Sequence, residues 1–225
     1  MITFFEQNPA PFFPLTHVKK TQDLRSGIYT AHERLRMKAE LLGTSIIASE
    51  TLIDADLTAA ERDIAYAAGG DFIFALTDRP LRDLEQREFE AFFIRAAYPW
   101  DYVHCVGEMI ARDYELFLEK NDRYSLSELP SGVTCVGDRN KLFIHTSAEI
   151  LPGVVFDTRE GVIVVDAKAK IRPFSFIEGP AYIGTSSLID GAKIRPATAI
   201  GPVCKIAGEV ENSIFHSYSN RSEEH

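Results

Sequence analysis

Residues 165–189 read VDAKAKIRPFSFIEGPAYIGTSSLI. Val165, Ile171, Ile177, Ile183 and Ile189 stand six apart in this stretch. Downstream the beat slips by one residue and resumes at Ile194, Ile200 and Ile206. Upstream, Ile144, Ile150 and Phe156 keep the same spacing, and the longer step from Phe156 to Val165 reads as an excursion at a corner, through Thr158, Arg159, Glu160 and Gly161. Four positions after most of these residues stands a small side chain: Ala169, Ser175, Ala181, Ser187, Thr198 and Cys204, with Val210 closing the series. A period of six matches neither the helical repeat of about 3.6 nor the alternation of an ordinary strand. It is the period of a parallel β-helix, in which each repeat is one short strand and one corner.

In a triangular prism of strands, one side chain per face points into a narrow interior. β-Branched Ile and Val suit that position on a pleated backbone. The position four later meets the interior near a corner, where only a small residue fits. Tight corners account for Gly179-Pro180, Gly184, Asp190-Gly191 and Gly201-Pro202. The alternative, an antiparallel sandwich of short strands, has no reason to hold a fixed period of six. At roughly six residues per face and three faces per turn, the rhythmic segment makes about four coils.

The part before it has a different grammar. Residues 1–135 read as a mixed α/β domain and 136–225 as the β-helix domain, with the turn-rich stretch Tyr124–Gly132 before the boundary. Ile2–Phe5 reads as a first strand. Thr30–Leu42 has helical spacing, and Gly43 is a natural stop. Thr44–Ser49 and Phe72–Leu76 read as strands. Thr58–Ala68 reads as a helix, with Thr58 and Glu61 as a capping box. Leu81–Ile94 and Val106–Lys120 read as amphipathic helices.

Composition narrows the function. The chain has 225 residues, 45% of them hydrophobic and 25% charged, which is ordinary for a globular protein. A net charge of −9 argues against a general polyanion binder, and so against nucleic acid as a partner, while leaving room for a local basic pocket that takes a phosphate. Cys105, Cys135 and Cys204 are few, odd in number and form no C-x-x-C, which fits a reducing cytoplasm rather than a disulfide framework. The start, Met-Ile-Thr-Phe-Phe-Glu-Gln-Asn, has no basic segment before its apolar residues and does not read as a signal peptide. No run approaches the roughly 18 apolar residues of a membrane span.

Ile171–Gly184 resembles the hexapeptide-repeat class of left-handed β-helices. Gly201–Phe215, followed by Tyr218-Ser219-Asn220, is similar to a group of bacterial sugar-phosphate nucleotidyltransferase-like proteins. These are relatives of the bifunctional enzyme that acetylates glucosamine-1-phosphate and uridylylates the product. Pro14-Leu15-Thr16, then Asp23-Leu24-Arg25, Gly27-Ile28 and Thr30 resemble the opening motif of that family, and Pro99-Trp100-Asp101 resembles a second landmark.

The resemblance implies nucleotidyl transfer to a sugar-1-phosphate with Mg²⁺, or acyl transfer from acetyl-CoA to an amino-sugar phosphate. It implies Arg25 and Asp23 as catalytic residues. Independently of it, His216 near the last coil is chemically suited to act as the catalytic general base of an acyl transfer. The resemblance implies Thr16, Lys19, Lys20, Asp101, Tyr218, Asn220 and Arg221 as substrate and phosphate binders. It also implies a homo-oligomer, by analogy a trimer. No metal ligands are expected: His216 and His225 fall short of the three His ligands of a β-helix zinc site.

Two departures stand out. The family continues Pro-Leu-Thr with Thr-Arg-Pro, where this chain has His17-Val18-Lys19-Lys20. Lys offers a point charge where Arg offers a planar fork. The Gly-rich pyrophosphate loop is absent, so phosphate must be held by side chains or helix N-termini. The rhythm fades at Asn212, before the place where the family keeps its acyl-transfer base, which shifts the expected activity toward the N-terminal half. The alternative expectation is a non-catalytic scaffold or regulatory subunit on the same fold.

Overall fold

The computed structural model describes residues 1–5, 19–120 and 129–221. The chain divides into two compact units, Met1–Leu24 with Tyr29–Tyr102, and Arg25–Ile28 with Val103–His225. Among the described residues, no helix is long and apolar enough to cross a membrane.

The first unit is α/β. Its strands are β1 (Ile2–Phe5), β2 (Ile46–Ser49), β3 (Leu52–Ala55), β4 (Ile64–Ala68), β5 (Asp71–Leu76), β6 (Glu85–Glu88) and β7 (Phe93–Arg95). Five form one sheet in the order β1-β2-β5-β4-β6, and β3 pairs with β7. Helix α1 (Ala31–Leu42) begins as the sequence predicts. The Thr30 hydroxyl accepts the Glu33 N–H while the Glu33 carboxylate accepts the Thr30 N–H, a closed capping box. Gly43 ends it in the left-handed region at φ 59°. Leu35 and Ala39 of α1 bury against Ile46, Ile73 and Phe74 of the sheet.

Two predicted helices are strands instead. Thr58–Ala68 opens with a single 3-10 turn, Leu57–Ala59, capped by Asp56 rather than Thr58, and continues as β4. Gly69 and Gly70 both take positive φ, the backbone a two-residue hairpin turn requires, so β4 folds back onto β5. Leu81–Ile94 likewise holds only the turn Leu81–Asp83, followed by β6 and β7. The four residues of β6 are all exposed, which suits a charged edge strand. Phe89 beyond it leaves helical phase to stand edge-on to Tyr66 and Phe74. Pairing across the sheet overrides the local helical signals in both segments.

The second unit carries three five-stranded parallel sheets, visited in strict rotation. The first face stacks Cys135, Phe156, Ile177, Ile194 and Val210 in register. The second stacks Ile144, Val165, Ile183, Ile200 and Phe215. The third stacks Ile150, Ile171, Ile189, Ile206 and Arg221. This in-register stack is compatible with a parallel β-helix.

The stack has five coils rather than about four, because Thr134–Val136 forms a strand before Ile144 and Ser213–Phe215 and Asn220–Arg221 carry the ladder on past Asn212, where the sequence rhythm fades. Cys135 precedes Ile144 by the same long step that separates Phe156 from Val165, and no Ile or Val marks it. Val210 also differs from expectation. It pairs with Ile194 as a ladder residue rather than serving as the small corner residue. Of the other small residues, Ala169, Ser175, Ser187 and Cys204 lie at corners between strands, whereas Ala181 and Thr198 open strands of the second face and pair with each other, and all six are buried.

Helix α2 (Pro99–Lys120) contributes residues 103–120 to this unit. Tyr114 and Phe117 pack on Phe143 of the second face, with ring centroids 5.1 and 5.9 Å away. The middle residues of that face, Val164, Tyr182 and Ala199, point out of the stack by strand alternation and are nevertheless buried.

Candidate functional site

Two of the predicted catalytic residues meet on the second unit. Arg25 belongs to the short segment Arg25–Ile28 and is 6% exposed. Its guanidinium donates to the carbonyls of Gly27 and Ile28 and lies over the Tyr182 ring, 5.0 Å from the centroid. The Tyr182 hydroxyl donates to Asp166 Oδ2 at 2.9 Å. The backbone N–H of Arg25 donates to His216 Nδ1 at 3.5 Å. With Nδ1 accepting, the neutral imidazole carries its proton on Nε2. The carbonyl of His216 accepts from Ser219 Oγ at 2.6 Å and from Cys204 Sγ at 3.2 Å, which ties it to the turn around it.

Gly27 explains how the segment lies so close. A Cβ there would stand 2.6 Å from Asp113 Oδ2 and 3.0 Å from the Met109 carbonyl carbon, so only glycine fits against α2. Asp113 itself is fully buried.

Chemically, Arg25 is occupied with carbonyls and a π-face and acts here as a positioning residue. In this tautomer His216 offers Nε2–H as a donor. To serve as a base through Nδ1, it must first release the Arg25 N–H.

The other predicted residues fall elsewhere. Thr16 lies outside the described residues. Asp23 is in the first unit, where its Oδ1 is 3.2 Å from His32 Nδ1 and both side chains are nearly half exposed. The edge of Phe4 packs on the His32 ring at 5.4 Å. Lys20 is exposed, Lys19 is half-buried, and the Lys20 carbonyl accepts the Asp23 N–H at 3.0 Å. Asp101 Oδ2 accepts the N–H groups of Ala97 and Tyr98 at 2.7 and 2.8 Å, which anchors the start of α2. Trp100 is exposed and stacked on Tyr98 at 4.6 Å. Tyr218 is an exposed corner residue at φ 66°. Asn220 and Arg221 are exposed in the last described strand, and Arg221 donates to the Glu209 carbonyl.

The Mg²⁺ that the resemblance implies does not fit these donors. Among the described residues no three His, Cys, Asp or Glu side chains converge on a point. Asp23 is paired with His32, and Asp101 Oδ2 is taken up by two N–H groups.

Sequence reasoning missed His32 and Gln22. Gln22 is buried, with its Oε1 unpartnered among the described residues. His32 stands nine positions after Asp23 inside an ordinary helical pattern, and Gln22 carries no signal in the sequence at all.

No family model matches the chain, and no curated protein matches it.

Proposed function

We propose that this chain is a transferase of nucleotide-sugar metabolism that acts on an amino-sugar phosphate. One observation carries the reading. Three separately read stretches meet at one spot: Arg25 from the opening motif that resembles the nucleotidyltransferase-like family, Tyr182 from the stretch that resembles the hexapeptide class, and His216 from within the final family-like stretch, between its Phe215 and Tyr218. We read the stack as left-handed and the working form as a trimer, both by analogy of fold alone, and the location as cytoplasmic from the few, widely spaced cysteines.

Acyl transfer from acetyl-CoA needs a proton acceptor, and His216 is the imidazole at this spot. Nucleotidyl transfer draws instead on Lys19, Lys20 and Asp23. The test is a panel. Pyrophosphate release is assayed with sugar-1-phosphates, nucleoside triphosphates and divalent ions, and thiol release with acetyl-CoA and amino-sugar phosphates. Turnover with one pair is expected, and turnover with none overturns the reading.

A second reading, a non-catalytic scaffold or regulatory subunit, is favoured by the burial and full engagement of the Arg25 guanidinium. It predicts that sugar phosphates or nucleotides raise the melting temperature without turnover.

A further inference from the structure

One corner of the stack is built unlike its neighbour. Between the third and first faces, the left-handed position of successive coils is held by Gly132, Gly153, Phe174, Gly191 and Gly208. Gly153 N–H donates to Gly132 O at 2.7 Å and Phe174 N–H to Gly153 O at 3.2 Å, which aligns these steps in one column. Four steps carry no side chain. The remaining one carries a ring that is 86% exposed at φ 64°.

The chain itself does not force glycine on the steps beside that ring. The corner between the second and third faces takes the same backbone with Lys168, Ser186, Val203 and Tyr218, at φ 57° to 66°. Gly191, at φ 61°, falls inside that range. A Cβ at Gly153 would come no nearer than 3.7 Å to the atoms around it, and one at Gly191 no nearer than 3.9 Å, both ordinary contacts. Bare steps with room for a side chain let another backbone come close from outside. Phe174 is the converse: a ring held on a strained backbone with almost nothing of its own chain to pack on.

The position of the column narrows the partner. The second face is already covered, with Val164, Tyr182 and Ala199 buried and Phe143 packed on Tyr114 and Phe117 of α2. The corner between the third and first faces is the one that does not border it. Ion pairs flank this corner, Arg172 with Asp190 at 2.8 Å on one side and Arg195 with Glu178 at 2.7 Å on the other. The net charge of −9 is therefore not concentrated here, and two like chains can approach. A projecting ring with a bare step on either side is also self-complementary, since the ring of one copy fits the step beside the ring of the next.

We infer that copies of this chain meet at this corner, with Phe174 as the anchor and Gly153 and Gly191 as the steps that receive it. The inference supplies the contact of the oligomer proposed above and rests on that oligomer forming.

The test is sedimentation of the full chain over a range of concentrations, with three variants. Phe174→Asn removes the ring and keeps a residue suited to the left-handed backbone. Gly191→Lys fills a step with a side chain that Lys168 shows the fold accepts at φ 57°. Tyr218→Asn removes an equally strained ring, 79% exposed, from the other corner. The wild type should self-associate, and the first two variants should weaken association by about tenfold or more. Tyr218→Asn should leave it unchanged. The contact acts only in the assembly and the backbone strain also in the separate chain, so dilution reads the two apart.

A wild type that stays monomeric up to about 1 mM overturns both the inference and the oligomer. Association that survives both Phe174→Asn and Gly191→Lys overturns the inference and keeps the oligomer. An equal loss in Tyr218→Asn also overturns it, because exposed rings would then be sticky wherever they stand. Association into two copies that both corner variants abolish keeps the inference and removes the trimer.

Discussion

The backbone N–H of Arg25 reaches Nδ1 of His216 across 191 positions of sequence. The Arg25 guanidinium holds the same segment from the other side, through the carbonyls of Gly27 and Ile28 and the face of Tyr182. Arg25→Ala should therefore cost about 3 kcal/mol, since it leaves buried carbonyls without their donor. His216→Ala should cost about 1 kcal/mol or less, because its bond is long. Urea unfolding of both variants checks this. Equal costs would show that the guanidinium does not pin the segment.

The interior of the stack should respond as a close-packed core. Ile177 is fully buried in the centre of the first face. Ile177→Ala should cost about 2–5 kcal/mol. Lys205→Ala, on an exposed position of the third face, should stay within about 0.5 kcal/mol. Denaturant midpoints separate the two, and a similar small loss at both positions would contradict the inward ladder.

Asp157 gives the stack an acid-sensitive bond. Its carboxylate is buried and takes a bidentate grip from Arg159, at 2.9 Å from Nε and 2.5 Å from Nη2, which holds its pKa below the usual value of 3.8. A group whose folded pKa is depressed contributes stability above the unfolded pKa and loses it as pH falls through the folded value. Wild-type stability should therefore fall on acidification below about pH 4. Asp157→Asn should be less stable at neutral pH and show a smaller fall. Parallel acid-dependent slopes in thermal scans at several pH values would remove Asp157 from this role.

Phe174 is 86% exposed at a corner and takes φ 64°. The left-handed region costs an ordinary residue roughly 1–2 kcal/mol and suits Asn better. So exposed a ring buries little apolar area that its removal could forfeit. Phe174→Asn should thus raise stability by about 1 kcal/mol. A lowered melting temperature would mean that Phe174 packs against something that offsets its strained backbone.

The ladder of the second unit is legible residue by residue. Ile144, Val165, Ile183 and Ile200 stack on one face because their spacing returns each to the same side of the stack. The shortened step from Ile189 to Ile194 is visible for the same reason. The first coil is not, since Cys135 sits at a ladder position without the aliphatic residue that marks the others. In the first unit, the helix Thr30–Leu42 and its stop at Gly43 are readable from local spacing, but the capping box expected at Thr58 and Glu61 does not form and one closes at Thr30 and Glu33 instead. The segments Ile64–Ala68 and Leu81–Ile94 mislead because their apolar residues satisfy a helical spacing as well as an extended one, and only the pairing with β5 and β4 decides between them.

The candidate site divides along the same line. Arg25 and His216 can be singled out by residue type and motif, yet nothing in either motif says that they touch. The exposure of Asp23 beside His32 and the burial of Gln22 leave no trace in the sequence. The sequence by itself determined the stacked parallel unit and its inward residues, because a fixed period translates directly into a fixed direction along a regular backbone. Only the tertiary structure decided which polar groups meet. A hydrogen bond depends on separation in space, and the chain between Arg25 and His216 sets that separation through all its turns together.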